Sequence, residues 1–158
     1  MKALIAYASM SGNTEDMATI LKQTLEGKGI DTEMMEFDDT SVEALSSYDY
    51  ILIGSYTWGD GDLPYEAEDF YDEVSSLELN DIKAAVFGSG DYSYPKFCEA
   101  VHTFHDMLKT TGASVFPETL KMELAPDTDE DVECCQEFAT SFLTWASLAE
   151  KRVGNHVS

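Results

Sequence analysis

Three loops gather residues that could hold a ligand, and their types point to binding rather than to bond-breaking chemistry. The first is Ser9-Met10-Ser11-Gly12-Asn13-Thr14. It places hydroxyls, an amide and a glycine where an apolar run gives way to a helical pattern. A helix N-terminus presents unpaired N–H groups and the positive end of its dipole. The hydroxyls add neutral donors, and Gly12 lets the backbone curl close, so the stretch reads as a phosphate cradle. An ordinary N-cap is the plain alternative, since Ser and Asn cap helices well, but this run holds more donors than a cap requires. It lacks both the Gly-Lys-Ser/Thr ending of a triphosphate loop and the G-x-G-x-x-G of a dinucleotide fold. No basic residue lies between Lys2 and Lys22, so a phosphate here is held without a local cation.

The second loop, Thr57-Trp58-Gly59-Asp60-Gly61-Asp62-Leu63-Pro64, sets a large aromatic among turn-forming residues. Trp58 could be a core residue; on a loop at the ligand end of a sheet it could instead stack on a planar ring. The third, Gly88-Ser89-Gly90-Asp91-Tyr92-Ser93-Tyr94-Pro95, pairs glycines that permit close backbone approach with two more aromatics. A phosphate cradle and two aromatic loops together suggest a phosphate on one side and a flat conjugated ring on the other.

Little else suggests chemistry. His102 and His105 stand three apart on a helical pattern and read as ordinary polar residues on a solvated face. Cys98, Cys134 and Cys135 match neither a disulfide framework nor a metal spacing, and read as buried or half-buried thiols in a reducing compartment.

These loops need a scaffold, and strand-like and helix-like runs alternate to supply one. Lys2–Ala8 is an apolar run. Residues 13–28 are helical, with Met17, Ile20, Leu21 and Leu25 on one face. Residues 32–37 form a weaker strand and 42–45 a short helix. Tyr50–Tyr56 is strongly apolar. Residues 66–77 form an acidic helix burying Phe70, Val74 and Leu77, and 84–88 a strand. Residues 96–111 are helical, with Phe97, Val101, Phe104 and Leu108 inward, and 114–122 form a last strand. Residues 130–151 close the chain as a helix, with Cys135, Phe138, Phe142, Trp145 and Ala149 on one face. Such alternation implies right-handed crossovers and a parallel sheet covered on both faces. Ligands in such a sheet sit beyond the carboxyl ends of the strands, where the three loops fall. The 158 residues, 44% of them hydrophobic, suit one domain. Residues 1–152 are expected to form it and 153–158 a frayed tail. The first residues read as a buried strand rather than a signal peptide.

Nine basic residues against 31 acidic ones give a net charge of −22. That surface repels nucleic acid and anionic membranes. It suits a strongly solvated exterior, and equally a partner with a basic docking face.

With these residues in place the sequence resembles the flavodoxins over nearly its whole length. Ser9–Thr14 is similar to that family's S/T-x-S/T-G-N/T-T loop, Thr57-Trp58-Gly59-Asp60 to its middle loop, and Gly90-Asp91 through Tyr94 to its third. The uninterrupted last strand resembles the short-chain subclass. The resemblance implies an α/β fold: a flavodoxin-like doubly wound five-stranded parallel sheet in the order 2-1-3-4-5, with helices on both faces. It implies one non-covalent FMN, with Ser9, Ser11, Gly12, Asn13 and Thr14 at the phosphate, and Trp58 and Tyr94 on opposite faces of the ring. Backbone groups of Gly59, Asp60, Ser89, Gly90 and Asp91 would meet the ring's polar edge, and Met10, Ser55, Tyr56, Thr57, Tyr92 and Cys98 would complete the pocket. Tyr56 and Tyr92 depart from the family pattern, being large where small residues are frequent. The implied function is that of a low-potential one-electron carrier, not an enzyme. It would be a cytoplasmic monomer shuttling between a basic-faced reductase and acceptor proteins through weak, transient contacts. An FMN-dependent NAD(P)H reductase would need room for nicotinamide where Tyr94 stands. A phosphoacceptor signalling domain would need carboxylates where this chain has Ser9 and Ser55.

Overall fold

The computed structural model describes residues 1–10, 12–57, 61–91 and 96–157, the last nine of these by backbone alone. Five strands alternate with four helices: β1 (Lys2–Ala8), α1 (Asn13–Gly27), β2 (Asp31–Glu36), β3 (Tyr50–Tyr56), α2 (Tyr65–Ser75), β4 (Lys83–Gly90), α3 (Glu99–Lys109), β5 (Ser114–Glu123) and α4 (Asp129–Val157). Two short 3₁₀ turns, Phe37–Asp39 and Val42–Ser47, link β2 to β3. Every pairing is parallel and the order is β2-β1-β3-β4-β5, the doubly wound arrangement that the sequence implies.

Alternation along the buried strands sorts their side chains into two cores. Ala3, Ile5, Tyr7, Leu52, Ala85 and Phe87 point to one face, where α1 brings Met17, Leu21 and Leu25 and α4 brings Phe138 and Phe142. Leu4, Ala6, Ile51, Ile53, Ala84 and Val86 point to the other, where α2 brings Phe70 and Val74 and α3 brings Val101, Phe104 and Leu108. Strands buried on both faces read as near-continuous apolar runs, which is why β1, β3 and β4 were legible and the edge strand β2, with one buried residue, was weaker. Aromatic rings tighten both cores. Phe37 stacks on Phe70 with centroids 4.2 Å apart, and Phe142 meets Tyr50 edge-on at 5.6 Å.

Some boundaries differ from the sequence reading. β4 runs on through Ser89 and Gly90, so the strand carries two residues of the expected third loop to the sheet edge. α3 starts at Glu99 rather than at residue 96, because Cys98 takes a left-handed conformation (φ 54°) that breaks the helical run. α4 continues past Lys151 to Val157; the side chain of Ala149 lies outside the described residues. His105 is not on a solvated face. It is buried, with Nε2 2.9 Å from the Phe116 carbonyl, whereas His102 is exposed. Among the cysteines, Cys98 and Cys135 are buried, whereas Cys134 is exposed.

The close pairing of β3 and β4 gives a sharp test of the sheet. Gly54 lies directly opposite Phe87, and a Cβ at Gly54 would fall 2.2 Å from the Phe87 ring. Because Phe87 is fully buried, its ring has nowhere to move. Gly54→Ala should destabilise the fold by about 1–3 kcal/mol in urea unfolding. Phe87→Leu should relieve part of that loss, giving a non-additive double-mutant cycle. Strict additivity would show that the ring does not set the strand contact.

Candidate functional site

The carboxyl ends of β1, β3 and β4 bring the three ligand-type loops to one edge of the sheet. The first begins at Ser9, and α1 opens from Gly12, whose φ of 87° is a conformation glycine adopts without strain. Gly12 supplies no side-chain cap, so the N–H groups of the first turn keep no partner from that position. A Cβ at Gly12 would meet nothing within 4 Å, so the space over this helix end is open. Ser9 Oγ accepts a bond from Glu15 N–H at 3.3 Å, tying the start of the loop to the turn it precedes. Met10 projects outward at 65% exposure.

Thr14 stands in the first turn of α1. Its side chain is buried, and its Oγ1 lies 2.7 Å from Ser89 Oγ at the end of β4. The hydroxyl pair spans the sheet edge and joins the first loop to the third. A buried hydroxyl without a partner costs about 1–3 kcal/mol, so each serine or threonine fixes the other. Ser55, buried between them in the order of strands, donates to the Tyr56 carbonyl at 2.8 Å.

The loop after β3 is held from two sides. Tyr56 donates its O–H to Glu66 Oε1 on the first turn of α2 at 2.8 Å, and Thr57 Oγ1 accepts from the Ala100 N–H in the first turn of α3 at 3.0 Å. Beyond this loop Met10, Tyr56, Leu63 and Tyr65 line a cavity of about 660 Å³ rimmed by Asp62, Glu66 and Glu68. Gly90 ends β4 against Cys98: a Cβ there would fall 2.9 Å from its sulfur. The Gly90 carbonyl accepts from Leu124 N–H at 2.8 Å. Cys98 Sγ lies under the strand end, 3.8 Å from the Gly88 carbonyl, and burial pushes its thiol up to about 11.

Of the residues singled out from the sequence, Ser9, Met10, Gly12, Asn13, Thr14, Ser55, Tyr56, Thr57, Ser89, Gly90, Asp91 and Cys98 thus gather at one sheet edge. Ser11, Trp58, Gly59, Asp60, Tyr92 and Tyr94 lie outside the described residues. Glu66 was expected as one of the acids near the site, whereas its bond to Tyr56 was not. Ala100 was not anticipated: it acts through its backbone N–H and carried no signal. Among the described residues no group of three or more His, Cys, Asp or Glu could hold a metal ion, and no helix is long and apolar enough to cross a membrane.

The charge around this edge is one-sided. Asp62, Glu66 and Glu68 rim the cavity, and Glu15 and Asp16 occupy the first turn of α1. The Tyr56 phenol is driven well above its ordinary value near 10, first by burial and then by its bond to Glu66. Tyr48 is pushed up to about 12, first by its bond to Glu33. In the unfolded chain both ionise near 10. Above that pH the folded state therefore binds more protons than the unfolded one, and stability falls as pH rises from about 10 to 12. Urea midpoints for wild type should drop over that range, and those for a Tyr48→Phe/Tyr56→Phe double variant should drop less. Equal slopes would mean that neither phenol carries the effect.

Comparison with known proteins supplies a family. The flavodoxin family model matches residues 5–138. The chain is 63% identical over 150 residues to probable flavodoxin 1 of Bacillus subtilis (strain 168), covering 95% of each chain. Among solved structures it resembles oxidised flavodoxin 2 from Bacillus cereus, with a TM-score of 0.88, 50% identity, and 91% and 99% of the two chains covered. It also resembles a short-chain flavodoxin, with a TM-score of 0.87, 33% identity, and 92% and 99% coverage.

Proposed function

The chain belongs to the flavodoxin family of FMN-binding electron carriers, and we propose that it shuttles single electrons at low potential between a basic-faced reductase and acceptor proteins. The observation that carries this reading is the N-terminus of α1, open at Gly12 and joined through Thr14 and Ser89 to the end of β4. A phosphate fits there: Gly12 leaves the approach clear and offers no side-chain cap of its own, and Ser9 and Asn13 add neutral donors at the positive end of the helix. In this reading Ser9, Ser11, Gly12, Asn13 and Thr14 hold the phosphate, and Trp58 and Tyr94 enclose the ring. When bound, FMN supplies reversible one-electron chemistry on that ring. The protein's part is to bind, orient and shield. The backbone of Gly59, Asp60, Ser89, Gly90 and Asp91 meets the polar edge, while Met10, Ser55, Tyr56, Thr57, Tyr92 and Cys98 pack or brace the surround.

The acids at the site supply the bias towards low potential. One unit charge about 10 Å away in water-like dielectric is worth roughly 0.4 kcal/mol, or about 20 mV for one electron. Several carboxylates together lower the second one-electron potential by the order of 100 mV, less in salt. The same rim favours weak, electrostatically steered contacts with basic partners. The three cysteines are free, which supports a reducing, cytoplasmic setting, and the charge favours a monomer.

Two measurements test this. Purified protein should bind FMN tightly, and Thr14→Val should weaken FMN by about 1–3 kcal/mol while weakening riboflavin much less. Equal losses for both ligands would show that the α1 end does not read a phosphate. Electron-transfer rates with a basic-faced reductase should fall as ionic strength rises, and a flat salt dependence would overturn electrostatic docking.

A further inference from the structure

Helix α3 is capped from outside its own segment. Its N-cap residue, Cys98, has a left-handed backbone and makes no side-chain cap bond. The Ala100 N–H, one of the orphan donors of that first turn, instead finds Thr57 Oγ1 at 3.0 Å, across 43 positions of sequence. Ala100 is fully buried, so no water can replace this acceptor without opening the site.

Two further contacts converge on the same stretch. Gly61, at φ 112°, lies so close to Lys96 that a Cβ would fall 2.7 Å from Lys96 Cδ and 3.4 Å from Glu99 Cβ. Gly90 lies so close to Cys98 that a Cβ would fall 2.9 Å from its sulfur, 3.0 Å from its nitrogen and 3.2 Å from Phe97 Cδ1. The loop after β3 therefore touches segment 96–100 at both of its described shoulders, Thr57 and Gly61. The loop after β4 touches it at Gly90.

We infer that Thr57 is a positioning residue, which by capping α3 through Ala100 ties the loop after β3 to the segment anchoring the loop after β4, so that a shift in either loop is transmitted to the other. This rests on the flavin-binding reading, in which the two loops flank opposite faces of the ring. Thr57 then acts through Ala100 and not by side-chain contact with the cofactor. A ring whose electron count changes asks for small adjustments on both faces, and a shared anchor makes these adjustments concerted.

Amide hydrogen exchange and redox titration separate this from a simple structural role. In the apoprotein, Thr57→Val should raise the exchange rate of the Ala100 amide at least tenfold, and Thr57→Ser should restore the wild-type rate. In the FMN-loaded protein, Thr57→Val should change the gap between the two one-electron potentials by about 60 mV, equivalent to a tenfold change in relative FMN affinity, and Thr57→Ser should not. Unchanged Ala100 exchange in Thr57→Val would overturn the cap, and raised exchange with an unmoved gap would overturn the coupling. Should Thr57→Val fail to fold, the wild type still decides. FMN should slow Ala100 exchange together with that of Gly61 and Gly90, and protection of the loops without Ala100 would sink the proposal. Failure of wild type to bind FMN would instead remove the flavin reading, and the apoprotein exchange would still score the cap.

Discussion

All five strands run in one direction, and this constraint organises everything else in the molecule. Parallel neighbours cannot be joined by a tight turn, so each connection must cross a face of the sheet. The crossovers place α1 and α4 over one face and α2 and α3 over the other. With both faces covered, the interior strands have no polar side to spend on function. Only their ends remain, and the carboxyl ends all lie at one edge. Between β1 and β3 the winding reverses: β2 lies on one side of β1 and β3 on the other. The loops leaving β1 and β3 therefore part in opposite directions and open a crevice between them. The open helix end at Gly12 and the loop starting at Thr57 lie where this geometry requires a site.

What was legible in the sequence follows from the same constraint. Apolar runs such as Leu4–Ile5–Ala6 and Ile51–Leu52–Ile53 announce strands buried on both sides, and the donor-rich run from Ser9 announces a ligand at a strand end. The misread features depend on contacts between distant segments. His105 looks like a surface residue because its helix alternates apolar and polar positions; the Phe116 carbonyl on β5 gives it a buried partner. Nothing local marks Cys98 as the left-handed break before α3, since its conformation is stabilised by packing beneath Gly88 and Gly90. Thr14 reads as a phosphate-loop residue, and what was not legible locally is the pairing of its hydroxyl with that of Ser89, 75 positions away. Ala100 has no chemistry of its own to read, because only its N–H is used. Sequence types indicate which groups could act, whereas the pairing that commits them is tertiary.

The bonds at the site edge also explain why so acidic a chain can hold it in shape. Two ion pairs, Lys22–Glu26 in α1 and Lys109–Asp106 in α3, each join near neighbours at the helix surface. Pairs of that kind contribute a few tenths of a kcal/mol. Against a net charge of −22 they offset almost nothing, so cohesion falls to the two apolar cores and to neutral hydrogen bonds. Three contacts that shape the sheet edge are of the neutral kind: Thr14 with Ser89, Ser55 with the Tyr56 carbonyl, and Thr57 with the Ala100 N–H. Because none depends on a cation, salt screens none of them, and the site keeps its geometry while the charge around it is free to act at long range.

That separation bears on how affinity and potential can be set independently. Glu15 and Asp16 stand in the first turn of α1, where the helix dipole favours acids but where they would oppose the phosphate of the proposed reading. A lysine in the loop would relieve this repulsion and strengthen binding, yet it would also stabilise every additional negative charge on the cofactor and raise its potentials. Neutral donors avoid that coupling. Hydrogen bonds from hydroxyls and N–H groups are short-ranged and act on the phosphate alone, whereas the carboxylates of Asp62, Glu66 and Glu68 act through space on whatever charge the ring carries. In the proposed reading, holding the anion with local dipoles therefore leaves the field of the whole acidic surface to bias the chain towards giving electrons up. The absence of basic residues between Lys2 and Lys22 is, on this argument, as much a part of the function as the hydroxyls that take their place.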